Sequence, residues 1–212
     1  MEKKLFTNCH IVDVIGKTVT EGSVLVEDGV ITAVGAAEAG DAEVIDLGGK
    51  YVMPGLFNCH THICLPPDPA TNYSLNDCQV TMKALKHLRQ FLDTGVTFIR
   101  DVGGMNFIDI DIRNAAKKGE IVAPDMQVSG KCICMTGGHG WQMGREADGV
   151  DDCRKAAREQ LRAGADWIKV MGTGGVMTEG VEPGSPQLDE DELRAAITEG
   201  HKVGAKACTH SQ

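Results

Sequence analysis

One pattern recurs three times in the second part of the chain: an apolar helical segment ends at a glycine, and a short apolar run follows it. The glycines are Gly95, Gly164 and Gly204. Glycine suits this place because the residue after a helix often adopts a positive φ, which strains other residues. Helices that alternate with short apolar strands are typical of parallel β/α units. The pattern therefore predicts an α/β fold from residue 56 onward.

Five strands of such a sheet are predicted, at about 55–62, 96–102, 126–134, 165–171 and 205–210. A complete eight-stranded barrel takes about 250 residues, whereas residues 56–212 number 157. We therefore predict a partial (β/α)8 TIM-type barrel with five of its eight β/α units, and we expect a longer chain to complete it. Its first and fifth strands would have open edges, which a partner such as a second copy in a homo-oligomer can cover.

Residues 1–55 have a different character, because their apolar residues alternate as they do in β-strands. Asp28-Gly29 separates two such runs, and this dipeptide is a strong signal for a β-hairpin. The segment predicts a small β-sandwich domain in front of the barrel. The expected domains are therefore 1–55 and 56–212.

Charge and composition limit the partners of the chain. Its 30 acidic residues outnumber its 21 Lys and Arg, which gives a formal net charge of −9. This charge opposes binding to nucleic acid or to anionic membranes. The start of the chain has no signal-peptide pattern, and no later run is long enough to span a membrane. We therefore expect a cytoplasmic protein, in which the 8 cysteines are reduced thiols.

His60 and His62 follow a run that is predicted to form a buried strand, and they lie two residues apart. Alternate side chains of a strand point to the same face, so both rings can approach one metal ion. Imidazole is a common ligand of zinc and related metals. On its own the pair is a weak signal, because two histidines on one strand face are more often structural or surface residues.

The segment Met53–His62 resembles the metal-binding signature of the amidohydrolase superfamily. Similar stretches follow in order over nearly the whole chain, at 98–104, 135–140, 166–170 and 207–210. The subgroup that the chain resembles contains the imidazolonepropionase-related enzymes, with the Xaa-Pro and Xaa-Arg dipeptidases. The resemblance implies a barrel whose site lies at the carboxyl ends of the strands.

The resemblance also implies a set of metal ligands. His60 and His62 would hold one of two divalent ions, His210 the other, and Lys169 both. An ammonium group cannot bind a cation, but a free lysine amine can react with carbon dioxide, and the resulting carbamate can bridge two metals. Zinc is the default metal, and manganese, iron or cobalt would fit similarly. A further histidine and a proton-carrying aspartate of the family have no counterpart in this sequence, so we expect the 212-residue chain alone to be inactive.

The implied reaction is the hydrolysis of a carbon–nitrogen bond in an amide or dipeptide, through a hydroxide that bridges the metals. A dipeptidase is the leading hypothesis, and a cyclic-amide hydrolase of the imidazolonepropionase type is an alternative. A different class of protein also fits, namely a half-barrel that binds metal or a partner without catalysis. The sequence does not identify the substrate.

Four further features bear on the site. His139, in a glycine-rich loop, is predicted to contact the substrate. Arg145 could bind a substrate carboxylate, although a solvated surface arginine is the more common case. The glycine-rich run 171–176 lacks the pattern of a phosphate loop and is interpreted as a mobile cover over the metals. Arg100 and Asp101 are expected to form a structural pair.

Overall fold

The computed structural model describes residues 2–65 and 74–212. The chain divides into two compact units, Met1–Gly55 and Leu56–Gln212. The first contains strands β1 (Lys3–Asp13), β2 (Thr18–Glu27), β3 (Val30–Gly35) and β4 (Glu43–Val52). The second contains the remaining strands and all of the helices described below.

The first unit forms one four-stranded sheet in the order β3-β2-β1-β4. β2 pairs antiparallel with β1 and β3, whereas β4 pairs parallel with β1. The predicted hairpin is confirmed, because Asp28 and Gly29 join β2 to β3 with positive φ values of 48° and 80°. Within the described residues of this unit there is a single sheet, so the predicted β-sandwich is not confirmed.

The second unit is an α/β fold with parallel sheets. Its helices are α1 (Asp77–Asp93), α2 (Ile108–Lys117), α3 (Val150–Ala163) and α4 (Glu190–Lys202). Its strands are β5 (Leu56–Thr61), β6 (Val96–Asp101), β7 (Asp125–Val128), β8 (Ile133–Cys134), β9 (Arg145–Glu146), β10 (Trp167–Met171) and β11 (Lys206–His210). One sheet has the order β5-β6-β7 and the other β11-β10-β8-β9. All of these pairings are parallel.

The helix ends follow the sequence signals. α1 begins with a capping box between Asn76 and Gln79, and α4 begins with another between Asp189 and Glu192; each box satisfies backbone N–H groups that the first turn leaves free. The three glycines predicted to end helices have positive φ values, with 84° at Gly95, 104° at Gly164 and 77° at Gly204. These turns send the chain from each helix into the next strand.

The predicted third strand, 126–134, is wrong as a single strand. It is split into β7 and β8, which belong to different sheets. Between them, the Asp109 carboxylate accepts a hydrogen bond from Gly130 N at 2.8 Å, and the Gln160 side chain accepts one from Lys131 N at 2.9 Å. Gly130 also has a positive φ of 67°. Side chains from α2 and α3 therefore take the backbone donors that a continuous strand would use.

The strands of the second unit are apolar on the face that meets the helices. Ile168 and Val170 are fully buried in a core with residues of α3 and α4. Because side chains alternate along a strand, Trp167, Lys169 and Met171 point to the opposite face of β10. The same alternation places the predicted ligands on the face away from the helices.

No helix in the described parts of the chain is both long enough and apolar enough to cross a lipid bilayer.

Candidate metal centre

His62 lies just after β5 and is held in one orientation. Its Nδ1 lies 2.9 Å from the carbonyl oxygen of Gly103. A carbonyl can only accept a hydrogen bond, so Nδ1 carries the proton and donates it. The lone pair of the ring then lies on Nε2, as it does in histidines that bind metal. Burial lowers the pKa of His62 to about 4, which keeps the ring neutral at physiological pH.

His60 lies in β5, on the same side as His62. The centres of the two rings are 5.4 Å apart, with an angle of 66° between their planes. Burial lowers the pKa of His60 as well, so that its ring also keeps a free lone pair. The pair predicted from the sequence is therefore brought together in a protonation state that suits metal binding.

Lys169 is one of the largest fully buried side chains, with 2% of its surface exposed. Within residues 2–65 and 74–212, it forms no ion pair or hydrogen bond through its side chain. Burial lowers the pKa of its amine, because a charged ammonium loses its hydration there. The position thus favours a neutral amine, which is the form that reacts with carbon dioxide.

His210 is the last residue of β11, and one of its ring atoms is left without a partner. Its Nε2 is buried and has no hydrogen-bond partner among the described residues. Buried polar atoms are nearly always paired, so an unpaired ring nitrogen fits an absent ligand. Burial lowers the pKa of His210, and the charge of Lys169 lowers it further.

Lys169 lies close to all the histidines of this region. Burial is the largest cause of the lowered pKa values of four of them, which are His60, His62, His139 and His210. The positive charge of Lys169 is a smaller cause in each case. Among the described histidine, cysteine, aspartate and glutamate side chains, no group of three or more could hold a metal ion by itself. Lysine is not one of these residue types, so a metal ligand set in this region would have to include Lys169.

Residues of a distant loop hold His139 beside this group. These contacts were not predicted from the sequence. The rings of His139 and His210 have centres 4.4 Å apart. Nδ1 of His139 lies 3.1 Å from the Thr178 hydroxyl, and its backbone N–H donates to the Gln187 side chain at 2.9 Å. Thr178 and Gln187 lie about 40 to 50 residues further along the chain, so no local signal reveals these contacts.

The glycine-rich run after β10 folds back on itself. Thr173 forms an antiparallel bridge with Pro186, and Gly174 N donates to the Ser185 carbonyl at 2.8 Å. A Cβ atom at Gly175 would lie 2.5 Å from two atoms of the His139 ring. The loop therefore packs directly on His139, while its mobility stays a prediction.

Arg145 is engaged by two carboxylates. Its Nη2 lies 2.7 Å from Asp152, and its Nε lies 2.9 Å from Glu159. Hydrogen bonds to these carboxylates raise the pKa of the guanidinium. The side chain thus fastens β9 to α3, and its predicted contact with a substrate carboxylate stays a prediction.

The expected pairing of Arg100 with Asp101 is wrong. Neighbouring residues on a strand point to opposite faces, and the two side chains have different partners. Arg100 stacks on the Trp167 ring at 4.4 Å, whereas Oδ2 of Asp101 accepts a hydrogen bond from Ile63 N at 2.9 Å.

Asp101 and Asp109 form a buried acidic pair. Both are 0% exposed, and Oδ1 of each has no hydrogen-bond partner among the described residues. Burial raises the pKa of both carboxyls, and the charge of Asp109 raises that of Asp101 further. Their other oxygens bind Ile63 N and Gly130 N. The pair therefore ties together the chain segments that follow β5 and β7.

The chain is similar to several known proteins. The sequence model of the amidohydrolase family matches residues 51–212. Ochratoxinase from Aspergillus niger is 27% identical over 236 residues, which cover 92% of this chain and 47% of the enzyme.

Two solved structures are also similar. A crystal structure of an amidohydrolase has a TM-score of 0.89 and 32% identity, and covers 99% of this chain and 56% of its own. A prolidase in complex with N-methylphosphonate-L-proline has a TM-score of 0.90 and 27% identity, with the same coverage of 99% and 56%. The chain thus spans about half the length of the relatives that it matches.

Proposed function

Because the chain belongs to the amidohydrolase family, we propose that it carries the first five β/α units and the metal ligands of an enzyme that hydrolyses amide or peptide bonds. One observation carries this proposal. A buried lysine without a partner among the described residues lies near four histidines, one of which has an unpaired ring nitrogen. A hydrolytic metal centre accounts for all of these groups together.

His60 and His62 would hold one divalent metal ion, His210 a second, and Lys169 both of them as its carbamate. When bound, such ions, zinc by default, polarise the substrate carbonyl and make water a stronger nucleophile. The residues of this chain prepare the site for them. The Gly103 carbonyl fixes the tautomer of His62, and burial keeps the rings neutral.

His139 is proposed to bind the substrate. The Thr178 hydroxyl and the Gln187 side chain hold it in place, and its ring faces that of His210. A ring in this position can donate or accept a hydrogen bond at the amide of the substrate. The loop that contains Gly175 packs against this ring and limits the access of water to it.

A dipeptide is the proposed substrate class. The similar prolidase structure holds a phosphonate derivative of proline, and ochratoxinase is a second relative. We propose that this chain contributes to the hydrolysis of a compound in which an amide nitrogen belongs to an amino acid.

Removal and return of metal tests the proposed function. We expect a strong chelator to abolish the hydrolysis of Xaa-Pro dipeptides by the complete protein, and zinc, manganese or cobalt to restore it. Native mass spectrometry should show two metal ions for each chain and the added mass of one carbon dioxide. Hydrolysis that persists after complete metal removal would contradict the proposal. Bound metal without any amidase activity would favour a half-barrel that binds metal but has no catalytic role.

Replacing Gly175 by alanine tests the role of His139. The new Cβ would lie 2.5 Å from the ring, so we expect the ring to move and the kcat/KM of hydrolysis to fall by about 10- to 100-fold, as small displacements of a substrate-positioning group do. The exposed neighbour Val176 supplies the control, since Val176→Ala should leave kcat/KM unchanged. Equal activity of both variants would exclude a role for His139 in this position.

A further inference from the structure

Arg100 lies in β6 and reaches the strands on both sides of the proposed metal centre. Its Nε donates a hydrogen bond to the Cys59 carbonyl of β5 at 2.8 Å. Its guanidinium carbon lies 4.4 Å from the centre of the Trp167 ring in β10. Cys59 immediately precedes His60, and Trp167 comes two residues before Lys169. Arg100 therefore links the strands that carry these two ligands, although the strands belong to different sheets.

Trp167 is itself held in place. Its indole N–H donates to the Gln127 side chain of β7 at 2.7 Å, which fixes the plane on which the guanidinium lies. A cation over the face of a tryptophan ring is attracted by the electron density of the ring. The planar guanidinium of arginine suits such stacking better than a lysine ammonium does. The position of the positive charge is thus set by direct contacts with β5 and β10, and the contacted ring of β10 is itself held by β7.

No carboxylate within residues 2–65 and 74–212 forms an ion pair with Arg100. Lys169 follows Trp167 by two residues in β10 and is buried, so the two side chains lie on the same face of the strand. The guanidinium on Trp167 therefore lies on the face that carries Lys169. A partly buried cation without a counter-ion is unfavourable, so this part of the site favours an anion.

We propose that Arg100 is a positioning residue whose guanidinium serves as the counter-ion of the anionic carbamate on Lys169. This inference rests on the proposed function, because the carbamate on Lys169 is part of that proposal. Lysine Nζ bonds to the carbon of carbon dioxide, an electron pair of one C=O bond moves to its oxygen, and the nitrogen releases a proton to water. The product carries a negative charge where the free amine carried none. A fixed positive charge nearby favours that product by Coulomb attraction.

The occupancy of the carbamate can be measured directly and without turnover. Metal-free protein, in which no metal ion holds the carbamate, is titrated with 13C-labelled bicarbonate, and the carbamate carbon is followed by NMR. Arg100→Met removes the charge and keeps a side chain that can lie on Trp167. We expect this variant to need at least about tenfold more bicarbonate for half occupancy, since one charge interaction of about 1.4 kcal/mol has that effect. Arg100→Lys keeps the charge and should stay within about threefold of the unmodified protein.

Two controls define the measurement. Arg89→Met removes a positive charge from an exposed part of α1 and should leave the titration unchanged, while Lys169→Met should give no signal. If Arg100→Met does not fold, Arg100→Gln removes the same charge and keeps a donor for the Cys59 carbonyl.

The outcomes separate this proposal from the proposed function. One outcome would overturn the counter-ion role alone. In that outcome Lys169→Met removes the carbamate signal, but the Arg100 variants show the same bicarbonate dependence as the protein without substitutions. The absence of any carbamate signal from the protein without substitutions would overturn the counter-ion role, whereas the metal removal and mass measurements described above test the proposed function separately. A shift seen with Arg89→Met as large as that with Arg100→Met would mean that only the total charge matters, which also contradicts the counter-ion role.

Discussion

Replacing Lys169 by methionine is expected to lower the kcat/KM of amide hydrolysis by roughly a thousandfold or more, since the Lewis-acid effect of bound metal is worth several kcal/mol. Methionine fills much of the space of the buried lysine stem but cannot form a carbamate, so the bridging ligand is lost. We expect metal analysis of the purified variant to show fewer than two ions for each chain. The measurement is a comparison of kcat/KM and metal content in the same preparation.

The control for this change is Lys155→Met, at an exposed position of α3. It removes the same charge from the surface and should leave both activity and metal content unchanged. If Lys169→Met kept its full turnover and both metal ions, Lys169 would not be a ligand. A variant that loses its fold, seen as a lost thermal transition, calls for Lys169→Gln as the replacement.

Replacing Asp101 by asparagine is expected to stabilise the protein increasingly as the pH rises. Burial raises the pKa of Asp101 well above 3.8, and the charge of Asp109 raises it further. The folded protein therefore holds a proton that the unfolded chain releases at lower pH. Between these two pKa values, the free energy of unfolding contributed by Asp101 falls as the pH rises. Asparagine does not titrate, so the free energy of unfolding of the Asp101→Asn variant does not fall for this reason as the pH rises.

The expected difference in the free energy of unfolding between the Asp101→Asn variant and the unmodified protein grows by at most about 1.4 kcal/mol for each pH unit in this window. The surroundings of Asp101 support this direction. The thiol of Cys64 is buried close to the two carboxyls, and burial raises its pKa, so it stays neutral and adds no charge beside them. The positive charge of Arg113 acts on Asp109, whose pKa it lowers against the effect of burial.

Urea unfolding at pH 5 and pH 8 measures this difference. Asp111→Asn serves as the control, because Asp111 is an exposed carboxylate on the neighbouring helix α2. Its free energy of unfolding should follow that of the unmodified protein at both pH values. Two outcomes would contradict this prediction: Asp101→Asn raises the free energy of unfolding equally at pH 5 and pH 8, or it lowers that free energy by an amount that grows with pH. Either would show that the two carboxyls are ionised and are stabilised in some other way.

The α/β character of the second unit and the ends of its helices could be predicted from the sequence, since both depend on local rules. Alternation along a strand placed His60 and His62 on one side of β5, as the 5.4 Å between their ring centres shows. The buried residues of α1, which are Val80, Ala84 and Leu88, lie four residues apart in the sequence, as the side chains on one face of a helix do. Neighbouring residues suffice for such predictions, because chain geometry fixes where their side chains point.

Contacts between distant segments could not be predicted in this way. The split of the third strand depends on hydrogen bonds from Asp109 and Gln160 to backbone groups 21 and 29 residues away. The placement of His139 depends on Thr178, 39 residues further along. No pattern within a window of the sequence contains both partners of such a contact.

The sequence by itself determined which residue types line the carboxyl ends of the strands, because strand period and helix caps are properties of short segments. Only the tertiary structure decided the protonation and the pairing of those residues. The packing lowered the pKa values of Lys169 and the histidines, left Nε2 of His210 without a partner among the described residues, and placed Arg100 on Trp167 instead of beside Asp101. These properties depend on how much water is excluded and on which charges meet, and both follow from the packing of segments that are far apart in the chain.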